Sequence, residues 1–216
     1  MDNSYLAKAG GLLLGLARAP QHLPSYLRHL PLWGRQPVDY EIPWVSFGAL
    51  AFLHKFLRRE HRVFEYGGGG STLWFARRAR SVLTMESHPD WHRTLTAKLA
   101  AQGLTNAVCE YHALSGDTPA QFEHDAFFRR IESGTWDIIL VDCYCGHSAS
   151  RYGFTRPFAL ELAFRHLNPG GLIVLDDSWM FKEFLGPRPG WRVVDFVGPG
   201  PCRYGVTSTA IFEKLA

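Results

Sequence analysis

Cysteine is scarce in this chain of 216 residues: Cys109, Cys143, Cys145 and Cys202 include no C-x-x-C pair. That spacing argues against a disulfide framework or a zinc site. A long hydrophobic run is missing too. The stretch GGLLLGLA at residues 10–17 falls well short of the roughly 20 residues that span a bilayer, and no small-residue cleavage site clearly follows it. The expectation is a soluble, cytoplasmic protein with no membrane span. Nor does one sign of charge dominate, because 23 Lys and Arg against 20 Asp and Glu leave a net charge of +3. So weak an excess argues for no polyanion partner, and no nucleic acid is expected. Internal repeats and low-complexity tracts are absent, which removes solenoids and arrays.

The chain does have apolar and aromatic material, 46% and 14% of its residues, which excludes a disordered, collagenous or coiled-coil protein. Its length suits an α/β unit around one core. Residues 6–16 read as a helix docking an apolar face on the rest of the chain, with a membrane-surface helix or a homodimer contact as the alternatives. Residues 19–44, rich in Pro, His and rings without a clean period, read as an irregular arm. Val45, Ala49, Leu50, Leu53 and Phe56 then recur at three- and four-residue spacing, and Arg58, Arg59 and His61 follow where cations suit the helix dipole. That pattern is an amphipathic helix.

Beyond it, short apolar runs at residues 63–66, 81–86, 107–112, 136–142 and 171–176 read as strands, and residues 71–79, 89–102, 119–131 and 155–167 as the helices between them. Repeated βα units imply a parallel sheet with helices on both faces. Residues 191–197 and 206–212 are strands with no room for a helix between them, so they must pair antiparallel.

The most informative segment is VFEYGGGGSTLWFA, where a strand runs through Glu65 and Tyr66 into Gly67, Gly68, Gly69 and Gly70 and then a helix capped by Ser71 or Thr72. Without Cβ atoms such a run turns sharply and lets backbone lie against a ligand at a helix N-terminus. Thr72 stands where a dinucleotide fingerprint would have its third glycine. The next strand, SVLTMES, ends in Glu86, 19 positions after Gly67, placed to accept hydrogen bonds from both hydroxyls of a ribose. An adenosine-type cofactor at the sheet's switch point is the reading these residues support.

The acidic-x-G-x-G run Glu65-Tyr66-Gly67-Gly68-Gly69, the acid Glu86, WDIILVD ending in Asp142, LNPGGLIVLDD and the closing strand TSTAIFE stand in one order. In that order, from about residue 63 to the C-terminus, the chain resembles the class I S-adenosylmethionine-dependent methyltransferases. The resemblance implies a Rossmann-like fold, a seven-stranded sheet of order 3-2-1-4-5-7-6 with the seventh strand antiparallel. It divides the chain into a helical extension and lid arm at 1–60 and a cofactor-binding domain at 61–216. It implies that Glu65, Gly67 and Gly69 hold the methionine part of S-adenosyl-L-methionine with Ser71 and Thr72 at the helix start. By the same likeness Glu86 binds ribose, Ser87 and His88 flank the adenine, and Asp117 and Asp142 approach the cofactor's amino groups.

For chemistry, Asp142, Asp176 and Asp177 converge at two neighbouring strand ends, with His147 just beyond Asp142. Three carboxylates there repel one another unless a cation or a proton sits among them. The trio is similar to that of metal-dependent small-molecule O-methyltransferases, and that likeness implies Mg2+ on Asp142, Asp176 and Asp177. Two other readings stay open: Asp176 or Asp177 caps a helix over residues 178–184, and His147 is a metal-free base. The catalytic candidates are thus Asp142, His147 and Asp177. Residues 19–44, 143–152 and 198–205 are expected to roof the acceptor pocket with Tyr26, Trp33, Tyr40, Trp44, Tyr144, Tyr152 and Tyr204, and Arg151, Arg156 and Arg203 suit an acidic acceptor. The expected function is S-adenosylmethionine-dependent methylation of a small-molecule acceptor, with oxygen as the atom that the likeness implies. A nucleic-acid or protein methyltransferase and a non-catalytic nucleotide-binding scaffold are the alternatives, and Asp142-Cys143-Tyr144-Cys145 stands where many nucleic-acid enzymes carry N/D-P-P-Y.

Overall fold

A computed structural model describes residues 5–29, 34–144, 154–201 and 205–215. The strands are β1 (Arg62–Tyr66), β2 (Ser81–Glu86), β3 (Ala107–Tyr111), β4 (Trp136–Val141), β5 (Leu167–Asp176), β6 (Trp191–Gly198) and β7 (Thr207–Lys214). They form one sheet of order β3-β2-β1-β4-β5-β7-β6, in which β7 runs antiparallel to both β5 and β6. The helices are α1 (Tyr5–Arg18), α2 (Leu23–His29), α3 (Phe47–Phe56), α4 (Gly70–Ala76), α5 (Pro89–Ala101), α6 (Pro119–Phe122), α7 (Ala126–Arg129) and α8 (Thr155–His166).

The central strands are apolar at nearly every position because both faces are covered. Since successive side chains point to opposite faces, Val63, Ile138, Leu140 and Val174 pack with Leu53, Leu73 and Leu95 of α3, α4 and α5. Their neighbours Phe64, Ile139, Val141 and Ile173 pack with Phe122, Phe127, Phe128 and Leu160 of α6, α7 and α8. The chain order reverses between β1 and β4, the switch point at which an open α/β sheet leaves a crevice.

Three expectations need correction. The helix over residues 119–131 is broken into α6, α7 and a 3-10 turn at Arg130–Ser133. Asp125 breaks it: one carboxylate oxygen accepts from the backbone N–H of Phe127 at 2.9 Å and the other from Ser115 N–H at 2.9 Å, local bonds that compete with helix continuation. The fifth strand begins at Leu167 rather than Gly171, but its pairing with β4 jumps from Trp136↔Leu167 to Ile138↔Leu172, so the N-P-G-G turn persists as an irregularity. Residues 178–184 form two 3-10 turns, Ser178–Met180 and Lys182–Phe184, and neither Asp176 nor Asp177 caps them with its side chain.

The docking of α1 is narrow. Leu12 is buried beside Tyr26 and Phe47, whereas Leu6, Leu13 and Leu14 are exposed. Among the described residues no helix is long and apolar enough to cross a membrane. The arm after α2 runs along the C-terminal ends of the strands. A Cβ on Gly70 would stand 2.6 Å from the Ile42 carbonyl oxygen, and the N–H of Ser46 donates to Thr209 Oγ1 at 3.0 Å. The arm therefore ties the start of α4 to the start of β7.

Candidate active site

The four glycines differ in why they are glycine. Gly67 has φ +88°, and a Cβ there would stand 2.6 Å from the carbonyl oxygen of Asp142. Its N–H donates to Met85 at 2.8 Å, which pins the turn between β2 and β4. A Cβ on Gly68 would meet Leu95 Cδ2 at 2.6 Å and Thr84 Cγ2 at 2.9 Å, and one on Gly70 would meet the arm. Only Gly69 has room, its nearest neighbour being Trp91 Cζ2 at 3.8 Å. Packing thus accounts for Gly67, Gly68 and Gly70, and free space beside the turn is left at Gly69. Helix α4 begins at Gly70, so Thr72 lies inside its first turn, and its hydroxyl accepts from the Gly69 N–H at 3.2 Å. The indole N–H of Trp91 donates to the Gly68 carbonyl.

Glu86 is buried at the end of β2 and bound by three backbone donors: Ser87 N–H and His88 N–H at 2.8 Å each, and Gly68 N–H at 3.0 Å. Ser87 and His88 thus serve Glu86 through their main chains, fixing the carboxylate against the glycine turn. Glu65, one strand over, is fully buried. Its Oε2 accepts from Thr84 Oγ1 at 2.7 Å, the residue that faces it across the β1–β2 register. Its Oε1 is buried with no hydrogen-bond partner. Burial pushes its carboxyl up to about 7, opposed by the hydroxyls of Thr72, Thr84 and Ser71 and aided by the nearby charge of Asp142. A buried polar atom without a partner is rare in a folded chain and needs an explanation.

At the ends of β4 and β5 the three aspartates part. The guanidinium of Arg156, buried in the first turn of α8, donates through Nε to the Cys143 carbonyl at 2.7 Å, through Nη1 to the Asp176 carbonyl at 2.8 Å and through Nη2 to Asp142 Oδ1 at 2.7 Å. The same Nη1 lies 3.6 Å from Asp177 Oδ2. Asp176 instead turns its carboxylate to Thr209 Oγ1 at 2.9 Å. Asp177, in the left-handed region at φ 52°, takes Trp179 Nε1 at 3.2 Å and Thr207 Oγ1 at 3.3 Å on Oδ1. Among the described residues no group of three or more His, Cys, Asp or Glu side chains is arranged to hold a metal ion. The magnesium set of Asp142, Asp176 and Asp177 therefore does not fit: an arginine fills the space between two of them and the third points to a threonine. Arg156 was expected among residues suited to an acidic acceptor. A cation at a helix N-terminus opposes the dipole, and that conflict was the signal that it needed a carboxylate.

Other expected site residues are scattered. Asp117 is exposed on the loop after β3, where its N–H donates to Gln121 Oε1 at 3.1 Å. Tyr26 belongs to the small cluster under α1, and Tyr40 is buried edge-on to Trp44, so both close core rather than line a pocket. Trp44 Nε1 is buried without a partner among the described residues, and Tyr144 is exposed. His147, Trp33, Tyr152, Tyr204, Arg151 and Arg203 lie outside the described residues. Sequence reasoning missed Thr84 and Trp91. Thr84 was legible as a polar residue in register with Glu65, while nothing in the sequence singled out Trp91.

The methyltransferase-domain family matches residues 64–178, more than half of the chain. The chain belongs to this family and is an S-adenosylmethionine-dependent methyltransferase of class I. No curated protein matches it in sequence. Among solved structures it is similar to a methyltransferase from Geobacter sulfurreducens, with TM-score 0.59 and 17% identity over 91% of this chain and 97% of that one. It is also similar to the O-methyltransferase TomG of Streptomyces achromogenes, involved in tomaymycin synthesis, with TM-score 0.58 and 17% identity over 82% and 85% of the two chains. An rRNA methylase from Streptococcus thermophilus shares the fold at TM-score 0.57 and 14% identity, over 77% of this chain and 93% of that one.

Proposed function

We propose that this enzyme methylates a hydroxyl group of a small molecule, with Glu65 receiving the ammonium of the cofactor's methionine part and Glu86 its ribose. The observation that carries the cofactor placement is the unpartnered Oε1 of Glu65, a buried acceptor beside a glycine turn with room at Gly69. A cationic nitrogen there satisfies that oxygen and returns the carboxyl to its ionised form. Bound S-adenosylmethionine supplies an electrophilic methyl on a sulfonium, so alignment of the acceptor and exclusion of water account for most of the acceleration. Asp142, held by Arg156 close to Glu65, is the base in this reading, with Asp177 at its side and residues 1–60 as the extension and lid arm over the domain at 61–216. His147 is the competing base.

A small acceptor is favoured by the weak net charge of +3 and by the likeness to TomG. The likeness to an rRNA methylase supports the second reading, a nucleic-acid acceptor. Transfer of labelled methyl from S-adenosylmethionine separates them. Incubation with a panel of small phenols and alcohols is expected to label a small molecule, and Asp142→Asn to lower the rate by about 100-fold, the scale of one general base. Label that enters RNA and no small molecule contradicts the proposal.

A further inference from the structure

We infer that Arg156 occupies the place a divalent ion would need between Asp142 and Asp177, so that this enzyme is built to work without a metal. The inference rests on the methyltransferase reading of the site and concerns how its acceptor end is charged. The guanidinium is buried, and its Nε, Nη1 and Nη2 each donate to an oxygen of residues 142–143 or 176 at 2.7 to 2.8 Å. It reaches a second carboxylate, Asp177 Oδ2, at 3.6 Å. Two of its partners are main-chain carbonyls at the ends of β4 and β5, so the cation is locked to both strands as well as to the side chains. A magnesium ion demands near-octahedral oxygens at about 2.0 to 2.1 Å. It cannot approach Asp142 Oδ1 on the side that the planar, permanently charged guanidinium already holds. Thr155 Oγ1 donates to the Tyr144 carbonyl at 2.7 Å, which clasps the start of α8 to the same strand end and keeps Arg156 from swinging out. Arg156 is thus a positioning residue: it neutralises Asp142 and fixes its direction, acting on the acceptor only through that carboxylate.

The test begins with the wild-type protein and Mn2+ as probe, followed by electron paramagnetic resonance of the free ion. The expected result is no depletion of the free-ion signal at micromolar Mn2+. Saturable binding of one ion per chain that disappears in Asp142→Asn or Asp177→Asn overturns the inference. Neither outcome depends on an acceptor, and S-adenosylhomocysteine binding, measured separately by calorimetry, reports on the methyltransferase reading itself. A second arm removes the cation. Arg156→Ala leaves the partly buried carboxylates of Asp142 and Asp177 uncompensated and is expected to lower the melting temperature by about 10 °C. Millimolar Mn2+ or guanidinium is expected to recover part of that loss in the variant and none in the wild type. If neither ion stabilises the variant, Arg156 is only a packing residue and the inference fails. Where Arg156→Ala does not fold, Arg156→Lys in the presence and absence of Asp142→Asn supplies the comparison. A loss on Arg156→Lys that is equally large in both backgrounds contradicts the pairing with Asp142.

Discussion

At the ends of β1 and β2 the described donors to the two glutamates are hydroxyls and main-chain N–H groups, whereas at the ends of β4 and β5 a buried arginine is set against two aspartates. The first region leaves one carboxylate oxygen unsatisfied and a carboxyl raised to about 7. The second brings its own cation. In the proposed reading, a crevice that supplies the counter-charge beside Asp142 and withholds it beside Glu65 suits a ligand that brings its positive charge to Glu65. S-adenosylmethionine meets that requirement with its ammonium. Burying Glu65 without a full set of partners costs stability that a ligand restores.

The comparison breaks most severely at Gly67. Gly67→Val places a side chain against the Asp142 main chain at a positive φ, and melting is expected to show a loss of about 4 kcal/mol or more, or no folded protein. Gly69→Ala keeps the melting temperature and weakens cofactor binding, because the space it fills faces Trp91 and not the core. Equal loss of fold in both variants would erase the distinction between the packing glycines and the open one.

Next in size is the acid at β1. Glu65 has a folded value raised from 4.5 to about 7, so the native state holds a proton that the unfolded chain has lost across that interval. Stability of the cofactor-free protein therefore falls as pH rises from below 4.5 to above 7, by on the order of 3 kcal/mol for this group. Melting curves of wild type and Glu65→Gln over that range check it. The variant lacks the slope, and a slope shared by both proteins assigns it to other groups.

Smaller effects sharpen the same contrast. Glu86→Ala is expected to weaken S-adenosylhomocysteine binding by about 1 to 3 kcal/mol in a calorimetric titration, through unmade ribose hydrogen bonds and three stranded backbone donors. Asp117→Ala is expected to change it by less than about 0.5 kcal/mol, because the residue is exposed and its main-chain N–H bonds Gln121 at the start of α6.

Much of the fold was legible because period and punctuation agreed. Continuous apolar strands such as WDIILV and the glycine turn marked the parallel βα units, and the lack of room for a helix between β6 and β7 marked the antiparallel pair, whereas the order of the sheet was what the resemblance to the methyltransferases implied. Local bonds that sequence does not announce did the rest: Asp125 splits a helix by bonding its own neighbourhood, and α1 exposes leucines that its apolar pattern suggested were covered. At the candidate site, Glu86 was singled out by its strand-end position and Glu65 by the resemblance. What the sequence hid was pairing across it. Arg156 lies 14 positions from Asp142, and only the return of α8 onto β4 brings the two together.

The central claim is that Glu65 awaits a cationic nitrogen, and proton-linked calorimetry tests it most directly. S-adenosylhomocysteine, which keeps the methionine ammonium, is titrated near pH 6 in buffers of different ionisation heat, then across neutral pH. With Glu65 largely protonated below about 7 in the free protein, binding is expected to release a proton, and affinity to rise with pH until it levels off above 7. Glu65→Gln is expected to bind more weakly with no such release. Binding of the wild type with no proton exchange and no change of affinity over this range would contradict the account.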